Sequence, residues 1–124
     1  MMRILIVEDD ERISGYMKRG LEAEEHIVEL ARDGQAGVDM AESRSFDVIL
    51  LDVFLPILSG LDVCRQLREN EVTTPIFIMT ARDTQGLLRD VYRAGADGYF
   101  PKPFSFESLV RKINDISLSA NSTA

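Results

Sequence analysis

The chain has 124 residues, a length typical of one globular domain. Its 14 Lys and Arg against 21 Asp and Glu give a formal net charge of −7, which argues against binding to nucleic acid or to an anionic membrane, because both would repel it. A single cysteine, Cys64, excludes an internal disulfide, and no apolar run reaches the length of a membrane span. We therefore expect a soluble, acidic, cytoplasmic domain that contacts neither nucleic acid nor membrane.

Five short segments predict β-strands. The first four are rich in Ile, Val and Leu and do not alternate with polar residues, which is typical of strands covered on both faces in a parallel sheet, whereas the fifth is less hydrophobic. The proline that ends the fifth segment favours an edge position for that strand. In chain order the segments are Ile4–Val7, Ile27–Ala31, Val48–Leu51, Ile76–Met79 and Asp97–Pro101.

Segments with helical spacing separate and follow these strands. Apolar residues recur every three or four positions in four of them, and the remaining one, residues 34–43, is a weaker helix. The apolar positions are Ile13, Met17 and Leu21; Leu61, Cys64 and Leu67; Leu87, Val91 and Ala94; and Phe106, Leu109, Val110 and Ile113. Candidate caps are Asp10, Ser59 and Ser105 at helix N-termini and Gly95 at a C-terminus.

The alternation of strands and helices predicts one α/β domain built from five β-α units. Right-handed crossovers place helices on both faces of a parallel sheet. The domain is expected to cover residues 1–118, with residues 119–124 as a polar tail or linker. The polar chain from Ser117 onward is expected to be solvated and frayed.

Charged and hydroxyl side chains follow four of the predicted strands at their carboxyl ends. In chain order they are Glu8 and Asp9, then Asp52, then Thr80 with Ala81 beside it, and finally Lys102. Ligands of open α/β sheets bind outside the carboxyl ends of the strands. We therefore expect these residues to converge on one rim of the domain.

Converging carboxylates need a counter-charge. Like charges repel strongly in a partly desolvated pocket, and Lys102 alone leaves roughly two negative charges unbalanced. A divalent hard cation supplies the difference, and Mg²⁺ favours a few carboxylates, retained waters and phosphate oxygens. With cation and lysine in place, the Asp52 carboxylate can attack phosphorus, since aspartyl phosphates are a known type of covalent intermediate.

Taken in order, these residues resemble the response-regulator receiver domain of two-component signalling. The segments that carry the resemblance are Ile4–Asp10, Asp47–Asp52 running into Leu55-Pro56, Ser59-Gly60, Met79–Ala81, Gly95–Asp97 and Lys102–Phe104. Each segment alone is a weak indication of the family, but their order and intervals together are specific to it. The resemblance covers residues 3–116 and implies a doubly wound, flavodoxin-like fold with a five-stranded parallel sheet in the order 2-1-3-4-5.

The resemblance also implies a phospho-acceptor and a metal site. Asp52 resembles the acceptor, and Glu8 and Asp9 resemble the acidic pair that binds Mg²⁺ together with it. Phe54 would lend its backbone carbonyl to the metal. The phosphoryl group would come from a histidine kinase phosphohistidine, a phosphotransfer protein or a small acyl phosphate, and the domain would catalyse only its own phosphorylation and hydrolysis.

The remaining matched residues would respond to the new phosphoryl group. Thr80 matches the hydroxyl that turns toward it, Ala81 the small residue beside that hydroxyl, and Lys102 the lysine that pairs with it. Tyr99 matches the aromatic residue whose rotamer reports phosphorylation. The output would be altered binding of a downstream protein or of a fused effector domain.

Simpler interpretations and other functions remain open. Asp10 fits an N-cap better than a metal ligand, Cys64 fits a small buried hydrophobe, and His26 has no Cys or His partners for a metal site. A Mg²⁺-dependent phosphohydrolase with an aspartate nucleophile usually carries a second aspartate two positions later, where this chain has Phe54. An unphosphorylated adaptor would not need the full residue set, and an FMN carrier would not have an acidic first loop.

Overall fold

A computed structural model of the chain describes residues 1–80, 86–102 and 104–122, with side chains as far as Leu118. Five strands and five helices alternate along it, as the sequence predicts. The strands are β1 (Arg3–Val7), β2 (Ile27–Ala31), β3 (Val48–Asp52), β4 (Ile76–Thr80) and β5 (Gly98–Pro101). The helices are α1 (Glu11–Ala23), α2 (Gly34–Ser43), α3 (Gly60–Glu69), α4 (Leu87–Arg93) and α5 (Phe106–Ser122).

The strands form one parallel sheet in the order β2-β1-β3-β4-β5. The predicted fold class and strand order are therefore confirmed. β3 is the central strand, and all five of its residues are buried. Because β1 and β4 flank it, the carboxyl ends of three adjacent strands lie side by side, and β5 follows at the edge.

Two apolar layers cover the two faces of the sheet. Alternate strand residues enter different layers: in β1, Ile4 and Ile6 face one layer, whereas Leu5 and Val7 face the other. The α1–α5 layer receives Met17, Leu21, Leu109 and Ile113 from its two helices. The α2–α3–α4 layer receives Val38, Ala41, Val63, Cys64, Leu67, Val91 and Ala94. Both faces are thus dry, which explains the uninterrupted apolar runs in the strands.

Local capping fixes where the helices begin and end. The predicted N-caps Asp10, Ser59 and Ser105 each accept a hydrogen bond from a backbone N–H in the first turn of their helices. Asp33, which was not singled out in the sequence, caps α2 in the same way. Gly95 follows α4 with φ of +100°, the left-handed conformation predicted for it.

The last helix is longer than predicted. α5 continues to Ser122, so the expectation of frayed chain from Ser117 is wrong for the described backbone. Lengthening an existing helix avoids the cost of nucleation and gains a hydrogen bond for each residue fixed. Within the described ranges, no helix is both long enough and apolar enough to cross a membrane.

A glycine allows α3 to begin directly against β3. The N–H of Gly60 donates to the carbonyl of Val53 at 2.8 Å. A methyl group at Gly60 would lie 2.1 Å from the carbonyl oxygen of Asp52. Only a residue without a side chain permits this contact, so Gly60 fixes the distance between the start of α3 and the end of β3.

We expect Gly60→Ala to lower the free energy of unfolding by about 2–3 kcal/mol, because the added methyl must displace backbone atoms. Urea unfolding followed by circular dichroism measures the change. The control is Gly15→Ala in α1, where the new methyl meets only the flexible tip of Arg19 at 3.2 Å. That variant should gain about 0.5–1 kcal/mol from helix propensity. Equal shifts of the same sign in both variants would contradict the close-approach argument.

Candidate functional site

Three carboxylates meet at the carboxyl edge of the sheet. Glu8 and Asp9 follow β1, and Asp52 is the last residue of β3. One carboxylate oxygen from each lies within 4.8 Å of the others. Glu8 is 1 % and Asp52 7 % exposed, whereas Asp9 is open to solvent. The structure therefore brings together the acidic residues that the sequence predicts.

Lys102 bridges two of these carboxylates. Its Nζ donates to Oε1 of Glu8 at 2.6 Å and to Oδ1 of Asp52 at 3.2 Å. The Lys102 side chain is largely buried, with 17 % of its surface exposed. A charge-assisted hydrogen bond in such surroundings is strong, so one ammonium holds the carboxyl ends of β1 and β3 together from a position just beyond β5.

The buried charges shift each other's proton affinities. Burial raises the pKa of Glu8; the hydrogen bond from Lys102 opposes the rise, and the charge of Asp52 adds to it. Burial alone would lower the pKa of Lys102, but the hydrogen bond to Glu8 and the charge of Asp52 outweigh it, so the pKa is raised. The ammonium therefore stays charged, and it supplies one positive charge to a cluster of three carboxyl groups.

The other predicted residues occupy different places around this cluster. Thr80 ends β4, is buried, and accepts a hydrogen bond at its carbonyl from the N–H of Lys102 at 2.6 Å. Tyr99 is half-buried and packs against the α2–α3–α4 layer. Phe54 lies in the loop after β3 with 75 % of its surface exposed. Ala81 lies outside the described residues.

The simpler interpretations of three residues fit their surroundings. Asp10 caps α1 through the N–H of Arg12, while its own N–H lies 3.4 Å from Oε2 of Glu8. Cys64 is fully buried, and burial raises the pKa of its thiol to about 11, so it packs as a small apolar side chain. His26 accepts a hydrogen bond at Nδ1 from the N–H of Met2.

The loop after β3 holds features that the sequence patterns did not reveal. Ile57 has φ of +74°, which is rare for a β-branched residue, and its side chain is 74 % exposed. Two backbone hydrogen bonds brace the loop, from Gly34 to the carbonyl of Pro56 and from Gly60 to the carbonyl of Val53. Only the two glycines hinted at these contacts, since glycine is the residue that lets another backbone approach closely.

The sequence matches a known family along nearly its whole length. The family model described as "Response regulator receiver domain" matches residues 4–114. The response regulator MprA of Mycobacterium avium (strain 104) is 44% identical over 112 residues, which cover 90% of this chain and 49% of that protein. The response regulator ArlR of Staphylococcus saprophyticus is 43% identical over 114 residues, 91% of this chain and 51% of that protein. The chain thus spans about half the length of these curated relatives.

Solved structures show the same fold. The receiver domain of the Francisella response regulator 1452 superimposes with a TM-score of 0.90 at 27% identity, covering 97% of this chain and 99% of that one. The chemotaxis protein CheY4 of Vibrio cholerae gives a TM-score of 0.88 at 28% identity, covering 94% of this chain and 98% of that one.

We expect Lys102→Met to lower the free energy of unfolding by about 3 kcal/mol at pH 7.5, because it leaves the buried Glu8 charge without a partner. The loss should shrink at pH 5. Without the ammonium, the already raised pKa of Glu8 rises further, and the folded state then takes up a proton that the unfolded state does not. Urea unfolding at both pH values measures the difference.

The control is Lys18→Met, which removes an exposed pair with Glu22 at 3.7 Å. It should change the free energy of unfolding by less than about 0.5 kcal/mol at either pH. A loss in Lys102→Met that is equal at pH 7.5 and pH 5 would show that charge compensation is not its cause.

Proposed function

The chain belongs to the response regulator receiver domain family, and we propose that it accepts a phosphoryl group on Asp52 and so switches a surface that binds a partner. The observation that carries this assignment is the contact of Lys102 with both Glu8 and Asp52. Because Lys102 Nζ already lies 3.2 Å from Oδ1 of Asp52, it can neutralise the negative charge that a phosphoryl group brings to Asp52.

In the proposed reaction an Oδ atom of Asp52 attacks the phosphorus of the donor. A bond forms between that oxygen and phosphorus, while the bond from phosphorus to the donor's nitrogen or acyl oxygen breaks and the donor keeps the electron pair. Asp52 sits at the end of a fully buried strand, so its position is fixed before the donor arrives. Lys102 lies where the transferred group adds negative charge, and it offsets part of that charge.

Magnesium fits the donor set of this site. Glu8, Asp9 and Asp52 offer oxygens that lie within 4.8 Å of one another, and Lys102 balances only one of the three charges. We propose that these carboxylates and the backbone carbonyl of Phe54 hold the ion. Hard cations of this kind bind carboxylate and carbonyl oxygens, and a bound Mg²⁺ would neutralise charge on the phosphoryl oxygens.

The switch is proposed to run through β4 and β5. A phosphoryl group on Asp52 adds charge and acceptor oxygens beside Thr80 and Lys102. The Thr80 hydroxyl would turn toward it, with Ala81 leaving room beside that hydroxyl. Tyr99, which packs half-buried on the neighbouring strand, would then change rotamer and alter the adjoining surface.

The proposed donor is a sensor histidine kinase or a phosphotransfer protein. The proposed receiver of the signal is a downstream protein or a fused effector domain, which is consistent with relatives about twice as long as this chain. We place the chain in the cytoplasm, where donors charged from ATP are available. A phosphohydrolase acting on external substrates is disfavoured, because Phe54 stands where such an enzyme needs a general acid.

We expect incubation with acetyl phosphate and MgCl₂ to add the mass of one phosphoryl group to the intact protein. The addition should disappear in Asp52→Ala and when EDTA replaces MgCl₂. The control Asp47→Ala removes an aspartate at the opposite edge of the sheet, where its Oδ2 accepts from the N–H of Arg3, and it should be phosphorylated like wild type. Unmodified protein, or modification that persists in Asp52→Ala, would refute the acceptor assignment, and multiple turnover of phosphate esters would favour the hydrolase.

We expect the aspartyl phosphate to decay slowly, and to decay several-fold faster in Phe54→Asn. The bulky Phe54 flanks the acceptor and restricts the approach of water to phosphorus, whereas an amide can orient a water molecule. The half-life is measured by intact mass after removal of the donor. Ile57→Asn, at a similarly exposed position of the same loop, is the control and should leave the half-life unchanged. If the wild-type protein loses its phosphoryl group faster than Phe54→Asn, Phe54 does not restrict the approach of water.

A further inference from the structure

We infer that Arg68, at the edge of the sheet opposite the acceptor, is a positioning residue that holds Lys102 in place for phosphoryl transfer. The inference rests on the proposed function. Arg68 does not touch the acidic cluster and acts on it through two strands. Hydrogen bonds close β4 and β5 at both ends.

Arg68 forms hydrogen bonds with the segments that precede β4 and β5. From the last turn of α3, its guanidinium donates to the carbonyls of Gly95 at 2.8 Å, Val72 at 2.7 Å and Thr74 at 2.9 Å. A fourth bond, 2.9 Å long, reaches Oδ2 of Asp97. Only 24 % of the side chain is exposed. Because its four acceptors lie in the two turns that precede β4 and β5, Arg68 joins those turns into a single unit.

Asp97 bonds this unit to both strands, and we call the hydrogen bonds of Arg68 and Asp97 the clasp. Its N–H donates to the carbonyl of Ile76 at 2.8 Å, and its Oδ2 accepts from the N–H of Ile76, also at 2.8 Å. The same Oδ2 takes the bond from Arg68. The first residue of β4 is therefore bonded in both directions to the residue before β5, which sets the register of the two strands.

The opposite ends of the same strands carry the reactive contacts. The register runs from Phe77 opposite Gly98 to Thr80 opposite Pro101, and Lys102 follows at once. The N–H of Lys102 closes this end on the carbonyl of Thr80 at 2.6 Å. Beyond it, Nζ reaches Oδ1 of Asp52 at 3.2 Å, so a displacement of about 1 Å is enough to break the contact.

α3 connects the clasp to the acceptor strand. Its first residue, Gly60, lies against the backbone of Asp52, and its last turn carries Arg68. A helix of ten residues is about 15 Å long and rigid along its axis. The Gly60 contact involves no atom of Arg68, so loss of the guanidinium removes the hold on the starts of β4 and β5 and leaves the backbone at the end of β3 in place.

This placement separates positioning of Lys102 from metal binding. The proposed metal carboxylates follow β1 or end β3, whereas the clasp holds the starts of β4 and β5. Loss of Arg68 should thus slow phosphorylation of Asp52 without weakening the binding of Mg²⁺, because a loosened Lys102 takes positive charge away from Glu8 and Asp52. General loosening of the domain would both slow phosphorylation and weaken the binding of Mg²⁺.

The test compares Arg68→Gln with Arg65→Gln. Arg65 is on the same helix and bonds only to the exposed Asp62 in the described structure, so its replacement is a matched loss of one surface guanidinium. The maximal rate of phosphorylation by acetyl phosphate is measured by intact mass, and the Mg²⁺ midpoint by the amide NMR signals of Asp9 and Val53. We expect Arg68→Gln to lower the maximal rate about tenfold at a Mg²⁺ midpoint that does not rise, and Arg65→Gln to match wild type.

A second readout does not depend on phosphorylation. The chain has three lysines, so the ammonium signals of Lys18 and Lys112 serve as internal references for that of Lys102. Hydrogen bonds to buried carboxylates slow the exchange of the Lys102 ammonium protons with water. We expect Arg68→Gln to accelerate this exchange about tenfold, in line with a loosened contact, and to leave the two reference signals unchanged.

The conservative variants complete the test. Arg68→Lys keeps the charge and one bond, and Asp97→Asn keeps an acceptor for the N–H of Ile76, so both should fall between wild type and Arg68→Gln. If Arg68→Gln does not fold, the same criteria are applied to Arg68→Lys and Asp97→Asn. The inference is overturned if Arg68→Gln is phosphorylated as fast as Arg65→Gln, or if its lower rate comes with a higher Mg²⁺ midpoint. If the wild-type protein is not phosphorylated but Arg68→Gln still accelerates the exchange of the Lys102 ammonium protons, the proposed function is refuted. The positioning role of Arg68 is then supported.

Discussion

The ammonium of Lys102 lies between the carboxylates of Glu8 and Asp52 and ties the carboxyl edge of the sheet together. It joins side chains from β1, β3 and the end of β5, and it does so where Glu8 is almost fully buried. Buried carboxylates repel one another, and without a cation this edge of the sheet would open or take up protons. The two dry layers that exclude water from the strands are what make this single positive charge so effective.

The two edges of the sheet have different roles in the proposed reaction: one holds the reacting groups, and the other sets the register of β4 and β5. The carboxyl edge presents the acidic cluster, Thr80 and Lys102, and the amino edge holds the hydrogen bonds of Arg68 and Asp97. α3 spans the distance between them, with a glycine against Asp52 at one end. A residue far from phosphorus can therefore influence the reaction through strand register alone, with no contact to the reacting atoms.

The sequence was sufficient for the strands, their parallel arrangement and the convergence of Glu8, Asp9, Asp52 and Lys102, because apolar runs and strand ends follow simple periodic rules. It was not sufficient for the length of α5, where propagation of an existing helix outweighed the polar composition of its last residues. Nor did it reveal Arg68, which reads in the sequence as one more charged residue on an amphipathic helix. Three of its four partners are backbone carbonyls, and such partners leave no trace in side-chain patterns.

The pairing of Lys102 with Glu8 also bears on how the chain folds, since 94 positions separate the two residues. Glu8 enters the interior with the first strand, whereas its counter-ion arrives only when the last strand docks. A chain that has assembled β1 to β3 alone therefore buries an unpaired carboxylate, at a cost that the completed sheet removes. Partly assembled forms are penalised relative to the complete domain, and the site thereby makes folding more cooperative.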